Sequence, residues 1–133
     1  GIINAKEKNA IEEVMKITNN NGCDLVIETA GTEITTVQAI HMAKKGSNIV
    51  LVGYSKSGEM TLPMSLVLDK ELTFKTVFRY RHIYNMAIEA VASGKVNLKG
   101  IITNEFDLDD VQKAMDYSVN NKADIVKAVI KIR

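Results

Sequence analysis

The chain has 133 residues, enough for one domain of ordinary size with its own core. Its composition, 46% hydrophobic and 25% charged, is typical of a globular protein. A net charge of +1 gives no electrostatic basis for nucleic acid or an anionic membrane as partner, and no apolar run reaches the roughly 20 residues that cross a bilayer. The single cysteine, Cys23, excludes an internal disulfide. Together with the lack of a signal-peptide pattern at the start, it predicts a cytoplasmic protein.

Apolar periodicity and turn residues predict alternating helices and strands. The predicted elements are helix 9–18, strand 24–27, helix 32–45, strand 48–52, helical turn 65–70, strand 72–78, helix 83–93, extended piece 101–103, a helix from 107 and strand 125–132. The strands at 24–27 and 48–52 each end in a glycine turn and enclose a helix. This is the strand–helix–strand pattern of a parallel sheet.

Capping signals define the helix ends. Asn9 with Glu12 predicts a capping box, and Thr32 predicts the start of the second helix. Two lysines followed by Gly46 are typical of a helix end, so this helix is expected to run to residue 45. Asp107 is expected to cap the last helix.

The two later helices are each expected to bury one apolar face. These faces comprise Ile83, Met86, Ala87, Ala90 and Val91 in the first helix, and Leu108, Val111, Ala114 and Met115 in the second.

No G-x-G-x-x-G sequence occurs, and no two of the eight glycines are two residues apart. If the chain forms a nucleotide site, the turn that cradles the phosphates is missing from it. The pattern therefore resembles the second half of a dinucleotide-binding unit.

Four positions stand out as candidates for binding. Glu28 follows an apolar strand at its carboxyl end, where ligands lie in open α/β sheets, but it equally suits a turn cap. Gly31 and Gly53 follow strands, where the backbone either turns sharply or approaches a ligand. Residues 78–81 (FRYR) combine two guanidinium groups and a phenol that suit hydroxyl, carboxylate or phosphate groups; a solvated loop is the alternative.

No metal site or catalytic residue is predicted within the chain. Cys23, His41 and His82 lie on separate elements and lack the close pairing typical of zinc ligands. No G-x-S-x-G motif is present, so a nucleophilic serine is not indicated.

Several segments resemble the medium-chain zinc alcohol dehydrogenases. Residues 24–31 (DLVIETAG) resemble their D-V-V-I-E-x-x-G strand, and residues 45–53 (KGSNIVLVG) their G-G-x-x-V-x-V-G strand. Residues 71–81 (ELTFKTVFRYR) are similar to K-E-L-x-I-x-G-x-F-R-Y of the polyol branch, the sorbitol, iditol and xylitol dehydrogenases. Residues 92–99 and 102–108 resemble that branch too, with Asn104 replacing a usual histidine and thereby altering a surface contact.

The resemblance implies an α/β fold with a partial Rossmann-type parallel sheet. Residues 1–80 would form the C-terminal half of an NAD-binding domain. Residues 81–133 would form an α+β segment that returns toward a GroES-like catalytic domain. The family's zinc ligands, proton relay, glycine turn and ribose-binding acid would all lie upstream of Gly1.

The resemblance also implies roles for individual residues. The implied cofactor contacts are Ala30 and Gly31 near the adenosine side of NAD, Val52, Gly53 and Tyr54 along its nicotinamide half, and Phe78 and Arg79 at its nicotinamide end. Arg79 and Tyr80 would contact hydroxyl groups of a small polyol substrate. The strand from Thr73 to Phe78 would pair two subunits into a homo-oligomer.

The resemblance favours the interpretation that this chain is a piece of an NAD-dependent polyol dehydrogenase. Such an enzyme oxidises a secondary alcohol to a ketone. Zinc would belong to the full-length enzyme, so we expect the isolated chain to be inactive, to bind NAD weakly or not at all, and to associate through its open sheet edge. Two alternatives remain: a short dimerisation or nucleotide-sensing module of the same origin, and an unrelated flavodoxin-like domain with a complete five-stranded sheet.

Overall fold

The computed structural model describes residues 1–132, which divide into two compact units, Gly1–Arg79 and the residues from Tyr80 onward. The helices are α1 (Ala10–Ile17), α2 (Glu33–Met42), α3 (Met64–Asp69), α4 (Tyr84–Ala92) and α5 (Val111–Asn120). The strands are β1 (Cys23–Glu28), β2 (Ala43–Leu51), β3 (Thr73–Thr76), β4 (Ile102–Asp107) and β5 (Lys127–Lys131). Short 3₁₀ turns span Lys99–Ile101 and Leu108–Asp110.

The first unit is built on a three-stranded parallel sheet in the order β1-β2-β3. Ile40 of α2, Ile49 of β2 and Val67 of α3 are buried at its centre. Leu72 and Phe74 pack against this core from the turn before β3 and from β3, whereas Thr76 and Phe78, further along the predicted strand 72–78, are exposed. The predicted α/β class with a parallel sheet is thereby confirmed for this unit.

Helix α2 begins where the sequence predicts and ends earlier than it predicts. The Thr32 hydroxyl accepts a hydrogen bond from the Thr35 N–H, which confirms the cap. The helix stops at Met42, because Ala43 is extended (ψ 138°) and pairs with Cys23 as the first residue of β2. The prediction that the helix runs to residue 45 is wrong.

A lysine from the next helix–strand connection closes the end of α2. The Lys70 ammonium donates to the carbonyl oxygens of Ile40 (3.1 Å), His41 (2.8 Å) and Ala43 (2.8 Å). Burial lowers the pKa of the Lys70 ammonium, and the three carbonyls supply the hydrogen bonds that its charged form needs. The Lys70 carbonyl in turn accepts from the Gly46 N–H at 2.7 Å, so this one residue fixes both the helix end and the irregular start of β2.

The second unit is a two-stranded parallel sheet, β4-β5, with α5 beside it. Ala114 is the one apolar side chain buried among its described residues, so the predicted inward faces of α4 and α5 are otherwise exposed or half-buried. Asp107 makes no side-chain capping bond, which makes that cap prediction wrong. Asn104 is half-buried, and its Oδ1 has no hydrogen-bond partner among the described residues.

The five strands of residues 1–132 fall into two separate sheets. The flavodoxin-like alternative, which requires one five-stranded sheet, is therefore wrong. No helix among these residues combines the length and the apolar character that crossing a bilayer requires.

Candidate cofactor edge of the first unit

The carboxyl ends of β1, β2 and β3 lie at one edge of the parallel sheet. Glu28 pairs with Leu51 in the register of β1 and β2, and Leu51 pairs with Thr76 of β3. The segments that leave the strands therefore emerge together: 29–31 after β1, 52–54 after β2 and 77–79 after β3. Open α/β sheets bind ligands beyond this edge. We call these three segments the cofactor edge.

Glu28 is buried, with 5% of its surface exposed, and its carboxylate is fully engaged. Its Oε1 accepts from the Ala30 N–H (2.8 Å), the Gly31 N–H (2.9 Å) and the Thr35 hydroxyl (2.8 Å). All three partners donate, so this oxygen is the acceptor that holds the turn after β1. Of the two roles considered for Glu28, the structure supports that of a turn cap.

The main chain of Glu28 holds the second segment of the edge. Its carbonyl oxygen accepts from the Val52 N–H at 2.8 Å and from the Gly53 N–H at 3.1 Å. One residue thus fixes the turn after β1 through its side chain and the turn after β2 through its backbone.

Gly31 and Gly53 allow these two turns to touch. A Cβ added at Gly53 would lie 2.0 Å from the Gly31 nitrogen and 2.7 Å from Glu28 Oε2. A Cβ added at Gly31, where φ is +68°, would lie 2.5 Å from the Tyr54 nitrogen. Both glycines are therefore required by the packing of one turn against the other. The close approach that the sequence indicated is made to protein backbone.

The third segment carries the exposed aromatic and cationic groups. The Val77 N–H donates to the Leu51 carbonyl at 3.0 Å, which places the following residues beside the end of β2. The Arg79 guanidinium lies 5.0 Å from the centre of the Phe78 ring, and Arg79 has a left-handed φ of 52°. Phe78 is exposed by 67%, so ring and guanidinium form an accessible surface.

All seven residues predicted to contact the cofactor lie on the cofactor edge. They are Ala30, Gly31, Val52, Gly53, Tyr54, Phe78 and Arg79. Tyr80 belongs to the second unit, where its ring lies 5.4 Å from that of Tyr84. A shallow cavity of about 230 Å³ between β1 and α2 reaches Glu28 and Ala30.

Residues 1–132 hold no cluster of three or more histidine, cysteine or acidic side chains that would bind a metal. Cys23 is half-buried, whereas His41 and His82 are exposed. The described residues therefore do not fit a zinc ion.

Comparison with known proteins identifies the family. The sequence profile of the zinc-binding dehydrogenases matches residues 1–94, more than half of the chain. The chain belongs to the zinc-binding dehydrogenase family. This confirms the resemblance that the strand motifs indicated.

Individual relatives agree with this assignment. The chain is 40% identical over 131 residues to the zinc-type alcohol dehydrogenase-like protein YdjJ of Escherichia coli K12, covering 98% of this chain and 37% of that protein. It is 33% identical to sorbitol dehydrogenase of Bacillus subtilis, covering 97% of this chain and 36% of the enzyme. The chain therefore spans little more than a third of the length of these curated relatives.

Solved structures share the fold. An Escherichia coli oxidoreductase/dehydrogenase of unknown specificity, ECK1772, superposes with a TM-score of 0.89 at 39% identity, over 98% of this chain and 37% of that one. Alcohol dehydrogenase TADH from Thermus sp. ATN1 gives 0.85 at 26% identity, over 98% and 38%. The Rossmann-like parallel fold is thus that of medium-chain alcohol dehydrogenases.

The sequence interpretation missed Thr35 as part of the site. Its hydroxyl binds the Glu28 carboxylate and also lies 2.8 Å from the Thr32 hydroxyl. A signal was available, because Thr35 is three residues after a helix cap and therefore faces back toward the preceding turn.

Proposed function

We propose that the complete protein carrying this chain is an NAD-dependent polyol dehydrogenase. It oxidises a secondary alcohol of a small polyol to a ketone. A hydride leaves the alcohol carbon for the nicotinamide ring, and the hydroxyl proton is released, so that electrons and protons balance. The observation that carries the proposal is the convergence of three strand ends at the cofactor edge.

The chemistry of this edge suits a dinucleotide with a flat, partly apolar ring. Val52, Tyr54 and Phe78 are exposed by 43%, 80% and 67%, and they offer apolar and aromatic surface beside exposed backbone. We assign Val52, Gly53 and Tyr54 to the nicotinamide half of NAD, with Phe78 and Arg79 at its end. We assign Ala30 and Gly31 to the adenosine side.

Arg79 and Tyr80 are proposed to bind substrate hydroxyl groups. A guanidinium offers several fixed donors, and a phenol both donates and accepts, which matches the hydroxyl-rich surface of a polyol. Sorbitol and xylitol are the substrates suggested by the resemblance of residues 71–81, and the sorbitol dehydrogenase of Bacillus subtilis is among the relatives.

The two units are proposed to serve different parts of the complete enzyme. Residues 1–80 would form the second half of the NAD-binding domain. Residues 81–133 would return to the GroES-like catalytic domain, which would cover their exposed apolar side chains. Since the described residues do not fit zinc, the metal of the family would be held by other parts of the complete protein.

The edge strand β3 is proposed to join two subunits. It pairs with β2 on one side only among the described residues, and Val77 and Phe78 beyond its end are exposed. Sedimentation of the complete protein should show a homo-oligomer. A monomer at micromolar concentration would contradict this assignment.

NAD binding and sorbitol oxidation by the complete protein test the proposal. We expect NAD to bind and NADH to appear when sorbitol or xylitol is added. Arg79→Ala should raise KM for the polyol, whereas Lys56→Ala, which changes an exposed cation in the loop 55–58, should leave it unchanged. Absence of NAD binding would contradict the proposal. NAD binding without oxidation of any polyol would favour the nucleotide-sensing alternative.

A further inference from the structure

We infer that Glu28 is the positioning residue of the cofactor edge: it holds the two turns that bind NAD and does not touch the cofactor itself. The inference rests on the proposed function, because it assigns a role to contacts behind the proposed NAD-binding residues. It adds Glu28 and Thr35 to the residues on which NAD binding and nicotinamide orientation depend.

The first argument is the number of bonds that converge on Glu28. Its carboxylate accepts from Ala30, Gly31 and Thr35, and its carbonyl accepts from Val52 and Gly53. Four of these five donors are backbone N–H groups of the turns assigned to NAD. Their carbonyls and neighbouring side chains are thereby fixed in position.

The second argument is steric. Glu28 Oε2 would lie 2.7 Å from a Cβ at Gly53, so the carboxylate lies directly behind the second turn. Glu28 is only 5% exposed, and its carboxylate makes its hydrogen bonds to the turn after β1 and to Thr35 of α2. It therefore acts on a ligand only through the segments that it holds.

The third argument is the pair of threonine hydroxyl groups that is hydrogen-bonded to the carboxylate. Thr35 donates to Glu28 Oε1, and its oxygen lies 2.8 Å from the Thr32 hydroxyl, which accepts from the Thr35 N–H at 3.2 Å. The Thr35 hydroxyl carries one proton and lies closer to Glu28 Oε1 (2.8 Å) than to the Thr32 carbonyl oxygen (3.1 Å), so it donates to Glu28 and accepts from the Thr32 hydroxyl. The rotamer of Glu28 is thus tied to the first turn of α2.

Two substitutions distinguish a residue that positions the NAD-binding turns from a residue that only stabilises the fold. Glu28→Gln keeps an acceptor at one oxygen and replaces the other with an amide that faces the Gly31 N–H, 3.2 Å from Oε2 in the native chain. Thr35→Val removes one donor and keeps the side-chain shape, and Thr35→Ser restores the hydroxyl. Glu33→Gln is the matched control, since Glu33 also accepts from a backbone N–H, but that of Thr61 (2.8 Å), which belongs to neither turn.

The experiment measures the NAD dissociation constant, kcat, KM for sorbitol and the thermal midpoint of the complete protein. Glu28→Gln weakens the hydrogen bonds that hold the turn after β1 and should raise the NAD dissociation constant about tenfold, which corresponds to about 1.4 kcal/mol. It should lower kcat as well, because a displaced turn misorients the nicotinamide. KM for sorbitol should be unchanged. Thr35→Val should act in the same direction, and Thr35→Ser and Glu33→Gln should match the native protein.

One result would overturn the inference while leaving the proposed function intact. The native protein would bind NAD, and Glu28→Gln and Thr35→Val would lower only the thermal midpoint, with unchanged NAD affinity and kcat. Glu28 would then be a purely structural residue. If the native protein failed to bind NAD, the proposed function and this role would fail together. Should Glu28→Gln not fold, Thr35→Val and its serine counterpart decide the question.

Discussion

The two units of the chain differ in how they use their apolar side chains. Gly1–Arg79 buries Ile40, Ile49 and Val67 between helices and a three-stranded sheet. From Tyr80 onward, Ala114 is the one apolar residue buried among those that the structure describes, although α4 and α5 each carry apolar residues at helical spacing. An apolar stripe on a helix therefore predicts that this face is covered in the complete protein. It does not show which part of the protein covers it.

The largest loss of stability is expected from a substitution in the core of the first unit. Ile49→Ala removes a side chain with 0% exposure from the central strand, and should lower the free energy of unfolding by about 2–5 kcal/mol. Urea denaturation of the complete protein measures this loss, and hydrogen exchange should locate it in β2. An effect below 1 kcal/mol, by the same scale, would mean that Ile49 is not at the centre of a packed core.

The Lys70 ammonium should be the most important polar contact of the first unit. Lys70→Met keeps the length of the side chain and removes three hydrogen bonds to the end of α2, at an expected cost of about 1.5–3 kcal/mol. Lys56→Met is the control, because Lys56 is exposed in the loop 55–58. Equal midpoints of thermal unfolding for the two variants would contradict this role.

The second unit offers a test of what covers it. Ile88 of α4 is exposed by 64% in this chain. If the catalytic domain covers α4 in the complete protein, Ile88→Ala should cost about 1–2 kcal/mol there, as expected for an isoleucine that is largely buried. Glu89→Ala, on the same helix, should leave the urea midpoint unchanged. A neutral Ile88→Ala would show that α4 stays exposed.

The N-terminal caps of one helix from each unit should also differ in their contribution to stability, by a smaller amount. The Asn9 side chain accepts from the N–H groups of Ile11 (3.1 Å) and Glu12 (3.4 Å), so Asn9→Ala should cost about 1 kcal/mol. Asp107 makes no such bond, and Asp107→Ala should therefore be close to neutral. Thermal unfolding of both variants, measured side by side, checks the difference; a larger loss at Asp107 would reverse it.

The smallest effect is expected for the ion pair between β4 and β5. Glu105 raises the pKa of the Lys131 ammonium by hydrogen bonding and by charge. The pair is nevertheless exposed to water, which screens it. We expect Glu105→Gln to leave the thermal midpoint unchanged at physiological salt. A clear drop that disappears at high salt would show that the pair supports the second sheet.

The sequence by itself determined the elements whose causes are local. The caps at Asn9 and Thr32 were predictable, because each side chain reaches N–H groups of the next turn. The parallel strands were predictable from β-branched runs that enclose a helix, and the family from the motifs that follow those strands.

Tertiary structure decided what depends on residues far apart in the chain. Lys70 lies about 30 positions from the helix end that it closes, so no local signal placed the end of α2 at Met42. The role of Glu28 was open in the sequence, because a carboxylate after a strand suits a ligand as well as a turn. The strand register decided this role, because it brings the turns after β1 and β2 into contact. In that arrangement the N–H groups of Ala30 and Gly31 already occupy the Glu28 carboxylate.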